Sequence, residues 1–210
     1  IRVIPVITAV RKRFGGAFPI SIDTYKANVA HESLMSGATI VNSMGGLRLD
    51  PHMASVVATF DCPFVIYHIK GTPRTMQVGK IEYKDVISDI RTFFEEQIVE
   101  GQKKGIKRDQ FIIDPGIGFG KTVPQNLEII RRLAEFQTLH LPILTGISRK
   151  SHLGKLLQEK LHLKEILPPE ARFEAGLAET AVAVMRGVRI VRTHDVAATK
   201  RFLTTLEELL

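Results

Sequence analysis

Three polar side chains in this 210-residue chain follow short apolar segments, at positions where a strand would end. Asp114 follows Phe-Ile-Ile, and Asp23 and Asn42 follow similar runs. A carboxylate buried there must be paired, so it caps a helix, pairs with a lysine or binds a ligand. Acting together, the three side chains suit a planar heterocycle with amino and ring N–H donors, because a carboxylate forms strong two-point hydrogen bonds with such an edge.

The loop after Asp114 contains three glycines and ends in Gly120-Lys121-Thr122. It resembles a nucleotide-binding P-loop, but GxxxxGK[ST] requires glycine at position 115, where this chain has Pro115. Glycines let backbone N–H groups approach a ligand closely. We therefore interpret residues 114–122 as a ligand-binding loop that begins with the carboxylate of Asp114.

Two basic segments near the C-terminus have the residue types of an anion site. Residues 148–151, Ser-Arg-Lys-Ser, precede a predicted helix, where the serines could cap the helix or the free N–H groups could bind an anion. Arg192 and His194 end the last predicted strand, and their spacing of two places them on one face. Barrel enzymes often bind phosphate after strands seven and eight. We therefore expect Arg192 and His194, with Lys150 nearby, to bind a phosphate group.

Apolar runs that close on polar groups alternate with helical segments along the chain. Strands are predicted at 19–22, 39–41, 64–67, 111–113, 143–147 and 189–191. Helices are predicted at 26–36, 50–59, 82–104, 124–136, 150–160 and 169–186. This alternation is typical of βαβ units with a parallel sheet. Six polar strand ends on one rim favour a TIM (β/α)8 barrel over a doubly wound sheet, in a single domain covering 1–210.

The number of strands is small for a complete barrel, which typically takes about 250 residues. Residues 1–13 are predicted to form a helix of the outer ring, with an apolar face and a basic last turn. We therefore expect two βα units to precede Ile1, so that six of eight are visible. The alternative is a genuine six-stranded open sheet.

Composition narrows the function classes. The net charge of +7 comes from scattered basic residues without nucleic-acid-binding motifs, so we expect no nucleic-acid partner. The single cysteine, Cys62, excludes an intrachain disulfide and is typical of a reducing compartment. No run is long and apolar enough for a transmembrane span, and no signal peptide is visible. We expect a cytoplasmic protein without a membrane partner.

Taken together, these motifs resemble the dihydropteroate synthases of the folate pathway, within the wider pterin-binding barrel family. The resemblance extends over essentially the whole chain and rests on residues 22–26, 71–77, 114–122, 148–151 and 192–196. It implies a (β/α)8 barrel that joins 4-aminobenzoate to 6-hydroxymethyl-7,8-dihydropterin diphosphate. The products are 7,8-dihydropteroate and diphosphate, and the family is the target of sulfonamides.

The resemblance also implies roles for individual residues. Asp114, Asn42 and Asp23 would hold the pterin, with Lys150 at its edge. The negative charge of Asp23 would stabilise a carbocation-like pterin methylene. His68 is interpreted as structural.

The second substrate and the leaving group have their own implied residues. Arg192 and His194 would bind the diphosphate with the help of Mg²⁺, whose protein ligand is expected in a loop before residue 1. Phe119 and Lys150 would border the aminobenzoate, and its carboxylate would meet Ser151. Asp23, Lys150, Arg192 and His194 are thus the predicted catalytic residues. Family analogy implies a homodimer.

The chain departs from the family pattern at three short segments and at its start. Residues 42–43 are Asn-Ser where the family usually has Asn-Asp, and residues 67–69 are Tyr-His-Ile where it has Met-His-Met. Residues 192–194 are Arg-Thr-His where it has Arg-Val-His. The loops of the first two strands, one with an Asn-Val-Thr-Pro-Asp-Ser-Phe type motif, have no counterpart. We expect Tyr67 to alter one wall of the pterin pocket.

Two other functions are compatible with parts of the pattern. A methyltetrahydrofolate-dependent methyltransferase shares the pterin carboxylates but has no need of the anion sites at 148–151 and 192–194. A non-catalytic pterin-binding relative would explain Ser43, Tyr67 and the missing first loops. The synthase is the preferred interpretation because the resemblance at residues 114–122 together with 148–151 is highly specific.

Overall fold

Four parallel strands form one sheet. The computed structural model describes residues 2–71 and 81–210. The strands are β1 (Ser21–Asp23), β2 (Ile40–Met44), β3 (Phe64–Tyr67) and β4 (Phe111–Asp114), in the order β1-β2-β3-β4. β1 pairs with β2 and β2 with β3 in parallel, so that Asp23 lies beside Asn42 in the register. The parallel arrangement that the alternating pattern predicted is therefore confirmed.

Two further strands, β5 (Leu144–Thr145) and β6 (Ile190–Val191), form a second parallel pair. Both are shorter than predicted. Thr145 is followed by Gly146, against which the guanidinium of Arg192 packs. β6 ends at Val191, although the Arg192 N–H still donates to the carbonyl oxygen of Thr145 at 2.8 Å.

The described part of the chain contains eight α-helices. They are α1 (Ile4–Phe14), α2 (Ala27–Met35), α3 (Met53–Phe60), α4 (Val86–Lys103), α5 (Val123–Arg132), α6 (Ser151–Lys160), α7 (Phe173–Met185) and α8 (Val196–Glu207). Short 3-10 helices lie at Arg108–Gln110, Leu133–Leu139 and Pro169–Arg172. The predicted helices at 124–136 and 169–186 thus each contain a 3-10 segment, and α8 was not predicted. None of the helices described here combines the length and apolar content of a membrane span.

The structure divides into two compact units. The first comprises residues up to His68 with Thr92–Ile113, and the second comprises Ile69–Arg91 with Asp114–Leu210. The single domain expected from the absence of a linker stays a prediction.

Local capping explains where two of the helices begin. The Thr122 hydroxyl accepts a hydrogen bond from the Gln125 N–H at 3.4 Å, and the Gln125 side chain accepts one from the Thr122 N–H at 2.8 Å. This reciprocal capping box starts α5 directly after the glycine loop. At α2, the Asp50 carboxylate accepts from the Ala27 N–H at 2.8 Å, and this bond holds the pKa of Asp50 below its ordinary value. Neither Asp23 nor Asp114 is the N-cap residue of the helix that follows it.

The core of the first unit lies around β2 and β3. All four side chains of β3 are buried, as expected of a parallel strand with both faces covered. The rings of Phe64 and Phe111 pack with centroids 6.0 Å apart, and Val41 and Met53 are fully buried. This packing supports the strand ends that carry Asp23 and Asn42.

Candidate functional site

Asp114 is a buried carboxylate at the start of the glycine loop. It is 2% exposed, and its Oδ1 accepts a hydrogen bond from the Gly116 N–H at 2.8 Å. Gly116, Gly118 and Gly120 have φ angles of 70°, 82° and 65°, a left-handed conformation that glycine adopts without strain. The loop therefore turns tightly around the carboxylate, because of residues that the sequence places there.

Two of these glycines also leave space for neighbouring lysine residues, a side chain at Gly118 and the backbone at Gly120. A Cβ at Gly118 would lie 3.1 Å from Cδ of Lys150, and one at Gly120 would lie 2.8 Å from the carbonyl oxygen of Lys70. Both glycines are therefore required for the close approach of a neighbour as well as for their φ angles.

Opposing effects determine the pKa of Asp114. Burial raises it above its ordinary value, while the Gly116 N–H and the charges of Arg192, Lys150 and Lys121 act in the opposite direction. A desolvated carboxylate among three cations is stabilised by a ligand that supplies further hydrogen-bond donors. The surroundings of Asp114 therefore suit a ligand edge that carries N–H groups.

Lys121 is a functional candidate that the sequence analysis missed. It is 8% exposed, and its Nζ donates to the carbonyl oxygens of Gly116 at 2.9 Å and Phe119 at 3.0 Å. Burial lowers the pKa of Lys121 to about 7, although the charge of Asp114 acts in the opposite direction. From the sequence, Gly120-Lys121-Thr122 was interpreted only as part of a P-loop motif that Pro115 excludes. A lysine at the end of a tight glycine loop was nevertheless the available signal.

Lys150 and Phe119 form a cation–π contact in the same unit. The Lys150 Nζ lies 3.9 Å from the centroid of the Phe119 ring, within the range of a favourable interaction. Lys150 is the N-cap residue of α6, and the exposed Ser151 is the first residue of that helix. No described side chain caps α6, so the capping alternative for Ser148 and Ser151 is not observed.

A cleft of about 420 Å³ brings together the predicted anion-binding residues. It is lined by Gly146, Ser148, Lys150, Arg192, Thr193 and His194. The Ser148 hydroxyl bonds Nδ1 of His194 at 3.0 Å, which orients the imidazole ring. A Cβ on Gly146 would lie 2.9 Å from Nε of Arg192, so glycine is needed for the guanidinium to lie there. The cleft has the shape and positive charge of an anion site.

The predicted position of Arg192 and His194 within the last strand is wrong. β6 ends at Val191, and both residues lie in the loop that follows. Both residues nevertheless line the same cleft, in which the guanidinium of Arg192 lies against Gly146.

Asp23 and Asn42 meet in the first unit. The Asn42 Nδ2 donates to Oδ2 of Asp23 at 3.0 Å, and the Tyr67 hydroxyl donates to Oδ1 at 3.4 Å. Asn42 is 5% exposed, and its Oδ1 has no hydrogen-bond partner in the described part of the chain. Asp23 itself is exposed, contrary to the expectation of a desolvated carboxylate. Convergence of Asp23 and Asn42 with Asp114 and Lys150 on one cavity stays a prediction.

The residues at which the chain departs from the family pattern have definite contacts. The Ser43 hydroxyl donates to the carbonyl oxygen of Gly46 at 2.8 Å inside the core. His68 is buried and packs edge-on against Phe93, with centroids 5.2 Å apart. Tyr67 was expected only to change a pocket wall, but its hydroxyl also orients Asp23. Residues 72–77 of the resembling motif lie outside the described residues.

Comparison with known proteins identifies the family to which this chain belongs. The sequence model of pterin binding enzymes matches residues 1–194. The dihydropteroate synthase of Escherichia coli K12 is 37% identical over 209 residues, which cover 100% of this chain and 70% of that protein. The chain belongs to the dihydropteroate synthase family. The synthase of Synechocystis is 40% identical over 197 residues, which cover 94% of this chain and 65% of that protein.

The family assignment agrees with the three-dimensional structure. The crystal structure of Yersinia pestis dihydropteroate synthase with a sulfonamide drug complex superposes with a TM-score of 0.91 at 34% identity, covering 99% of this chain and 72% of that one. The family has the TIM barrel fold, which confirms the predicted fold class, and the described residues contain six of its strands. The chain spans between 65% and 72% of the length of each of these three relatives.

Proposed function

We propose that this chain condenses 6-hydroxymethyl-7,8-dihydropterin diphosphate with 4-aminobenzoate to give 7,8-dihydropteroate and diphosphate. Membership of the synthase family supports this activity. The observation that best supports it is that Arg192 and Lys150 contribute both to the surroundings of Asp114 and to the anion cleft. Their charges act on the buried carboxylate of Asp114, and both side chains line the anion cleft. One pair of cations thus connects a heterocycle-binding carboxylate to a diphosphate site.

In this proposal, Asp114 accepts hydrogen bonds from the amino and ring N–H groups of the pterin. Lys150 borders the ring, and Asp23 and Asn42 complete the pterin site. The buried Oδ1 of Asn42 offers an acceptor that the described protein groups leave unused. Because a buried acceptor gains from a donor, a pterin N–H is a suitable partner for it.

The chemical step needs no nucleophile from the protein. The amine of 4-aminobenzoate attacks the pterin methylene, a C–N bond forms, and the C–O bond to diphosphate breaks. The amine loses a proton, and the diphosphate leaves with the bonding electrons. Arg192, His194 and Lys150 lie where they would stabilise the negative charge that develops on the leaving oxygens. Asp23 would stabilise the positive charge on the methylene.

The aminobenzoate would lie beside Phe119 and Lys150. The aromatic ring of Phe119 supplies an apolar face, and the Lys150 ammonium lies 3.9 Å from its centroid. The substrate carboxylate would meet Ser151 and the N–H groups at the start of α6, where negative charge is favoured. A sulfonamide that competes with 4-aminobenzoate would use the same contacts.

Mg²⁺, a homodimer and a cytoplasmic location complete the proposal by family analogy. Within residues 2–71 and 81–210, no group of three His, Cys, Asp or Glu side chains could hold a metal ion.

An assay with purified protein and both substrates tests the activity. We expect 7,8-dihydropteroate to form only when both substrates are present. Folded protein that binds the pterin but forms no product would support the non-catalytic relative instead. Methyl transfer from methyltetrahydrofolate would support the methyltransferase.

The anion cleft gives a prediction about salt. Arg192→Gln should weaken inorganic diphosphate binding about 10- to 100-fold, because hydrogen bonds to charged groups contribute roughly 1.5–3 kcal/mol. Affinity in the parent protein should also fall as salt is added, since the cleft is open and its charges are screened. Titration calorimetry at two salt concentrations measures both effects. Arg189→Gln, an exposed arginine just before β6, is the control, and equal losses in the two variants would contradict the assignment.

A further inference from the structure

A buried histidine–glutamate pair joins α6 to α7. Nε2 of His152 lies 2.9 Å from Oε2 and 3.1 Å from Oε1 of Glu179. His152 is 3% exposed and Glu179 is 8% exposed. The two residues are 27 positions apart and belong to the same compact unit. Two short contacts from one ring nitrogen to both carboxylate oxygens hold the imidazole in a single orientation.

His152 stands at the beginning of the helix that carries the proposed aminobenzoate contacts. α6 starts at Ser151, so His152 is its second residue, and Lys150 is the N-cap. No described side chain caps this helix. The orientation of its first turn therefore depends on what holds the residues just before and just after Lys150 and Ser151.

The turn before Lys150 has its own anchors. Arg149 adopts a φ of 61°, a conformation that a residue with a side chain rarely takes and that neighbours must maintain. Its guanidinium bonds Asp195 at 2.8 and 3.3 Å, and its carbonyl oxygen accepts from Arg172 at 3.0 Å. These contacts hold the upstream side of the turn. The His152–Glu179 pair holds the downstream side.

We propose that Glu179 acts through His152 as a positioning residue for Lys150 and Ser151. The pair sets the direction in which α6 leaves the turn, and thereby the place where the Lys150 ammonium and the Ser151 hydroxyl meet 4-aminobenzoate. Glu179 itself touches no substrate in this scheme. The inference rests on the proposed function for the identity of the substrate, but the anchoring of the turn does not depend on it.

The experiment compares Glu179→Ala with a matched control, Glu174→Ala, an exposed glutamate in the first turn of the same helix. We expect Glu179→Ala to raise the KM for 4-aminobenzoate about tenfold, since small misplacements of positioning groups have effects of this size or larger. The KM for the pterin diphosphate should stay unchanged. Glu179→Gln keeps an acceptor for Nε2 and should restore the KM to within about threefold of the parent value. Glu174→Ala should behave as the parent.

A general structural role gives a different result. Equal rises in both KM values, a fall in kcat alone, or unchanged kinetics in folded Glu179→Ala would overturn the proposal. If Glu179→Ala does not fold, the double variant His152→Leu/Glu179→Leu keeps the space filled, because an apolar pair often replaces a buried ion pair without loss of stability. The same selective rise in the aminobenzoate KM is then required of the double variant.

Amide hydrogen exchange separates this proposal from the proposed function. If the parent protein turns over no substrate, the proposed function fails, but two amides still report the anchoring: those of Lys150 and Leu153, which donate to the carbonyl oxygens of Ile147 and Lys150 at 3.2 Å. We expect them to exchange faster in Glu179→Ala than in the parent and in Glu174→Ala. Unchanged exchange at these amides would overturn the anchoring itself.

Discussion

Asp114→Asn should weaken pterin binding about 10- to 100-fold. The change removes the charge from a 2%-exposed acceptor, and a hydrogen bond to a charged group contributes roughly 1.5–3 kcal/mol. It also places an amide N–H₂ opposite the donors of the ligand. The loop should keep its shape, because the remaining amide oxygen can still accept from the Gly116 N–H and the three glycines retain their conformation.

Calorimetric titration with the dihydropterin alone measures this effect, and circular dichroism checks the fold. Asp109→Asn is the matched control, since Asp109 is exposed in the 3-10 helix before β4. An unchanged pterin affinity in folded Asp114→Asn would remove the carboxylate from the proposed site.

Stability of the parent protein should rise between pH 7 and pH 9.5 through the titration of Lys121. The pKa of this lysine is about 7 in the folded chain and 10.5 ordinarily, so in this window the unfolded chain binds a proton that the folded chain does not. The free energy of unfolding then increases with pH, by at most about 1.4 kcal/mol per pH unit. Below pH 7 both states are protonated, and the full penalty of the buried ammonium is present.

Urea unfolding at several pH values measures this slope. Lys121→Met should flatten it, while Lys155→Met, an exposed lysine on α6, should leave it unchanged. The upper limit of pH 9.5 lies below 10.0, the ordinary pKa at which Tyr83 of the unfolded chain would lose its proton. Burial raises the pKa of Cys62 above its ordinary value of 9.0, which opposes the slope near the upper limit equally in the parent and both variants. Identical slopes in the parent and Lys121→Met would show that Lys121 keeps its proton in the folded protein.

Lys121→Met also bears on the ligand loop. Loss of the ammonium leaves the carbonyl oxygens of Gly116 and Phe119 without its hydrogen bonds. Phe119 carries the ring beneath Lys150, so movement of this loop reaches the proposed aminobenzoate site. The buried Lys121 thus affects both the stability of the glycine loop and the geometry of the proposed aminobenzoate site.

Several features of this protein follow from residues that are close in sequence. The order of strands and helices is predictable because apolar runs and helical periodicity are local patterns. The turn after Asp114 follows from glycines at 116, 118 and 120, since a positive φ is a property of single residues. The start of α5 likewise follows from Thr122 and Gln125, which are three positions apart.

Within each compact unit, the contacts of the candidate residues arise from packing between segments that are distant in sequence. His152 bonds Glu179 across 27 residues, Tyr67 bonds Asp23 across 44, and Ser148 bonds His194 across 46. For each of these residues, the sequence contains many polar residues that could be the hydrogen-bond partner. No local sequence pattern indicates which of them it is. Arg192 and His194 line one cleft from the loop after β6, whereas the strand period placed them within the strand itself. Such pairings depend on how the helices and strands pack. Packing determines which polar groups are buried next to one another, and buried polar groups form hydrogen bonds with such neighbours.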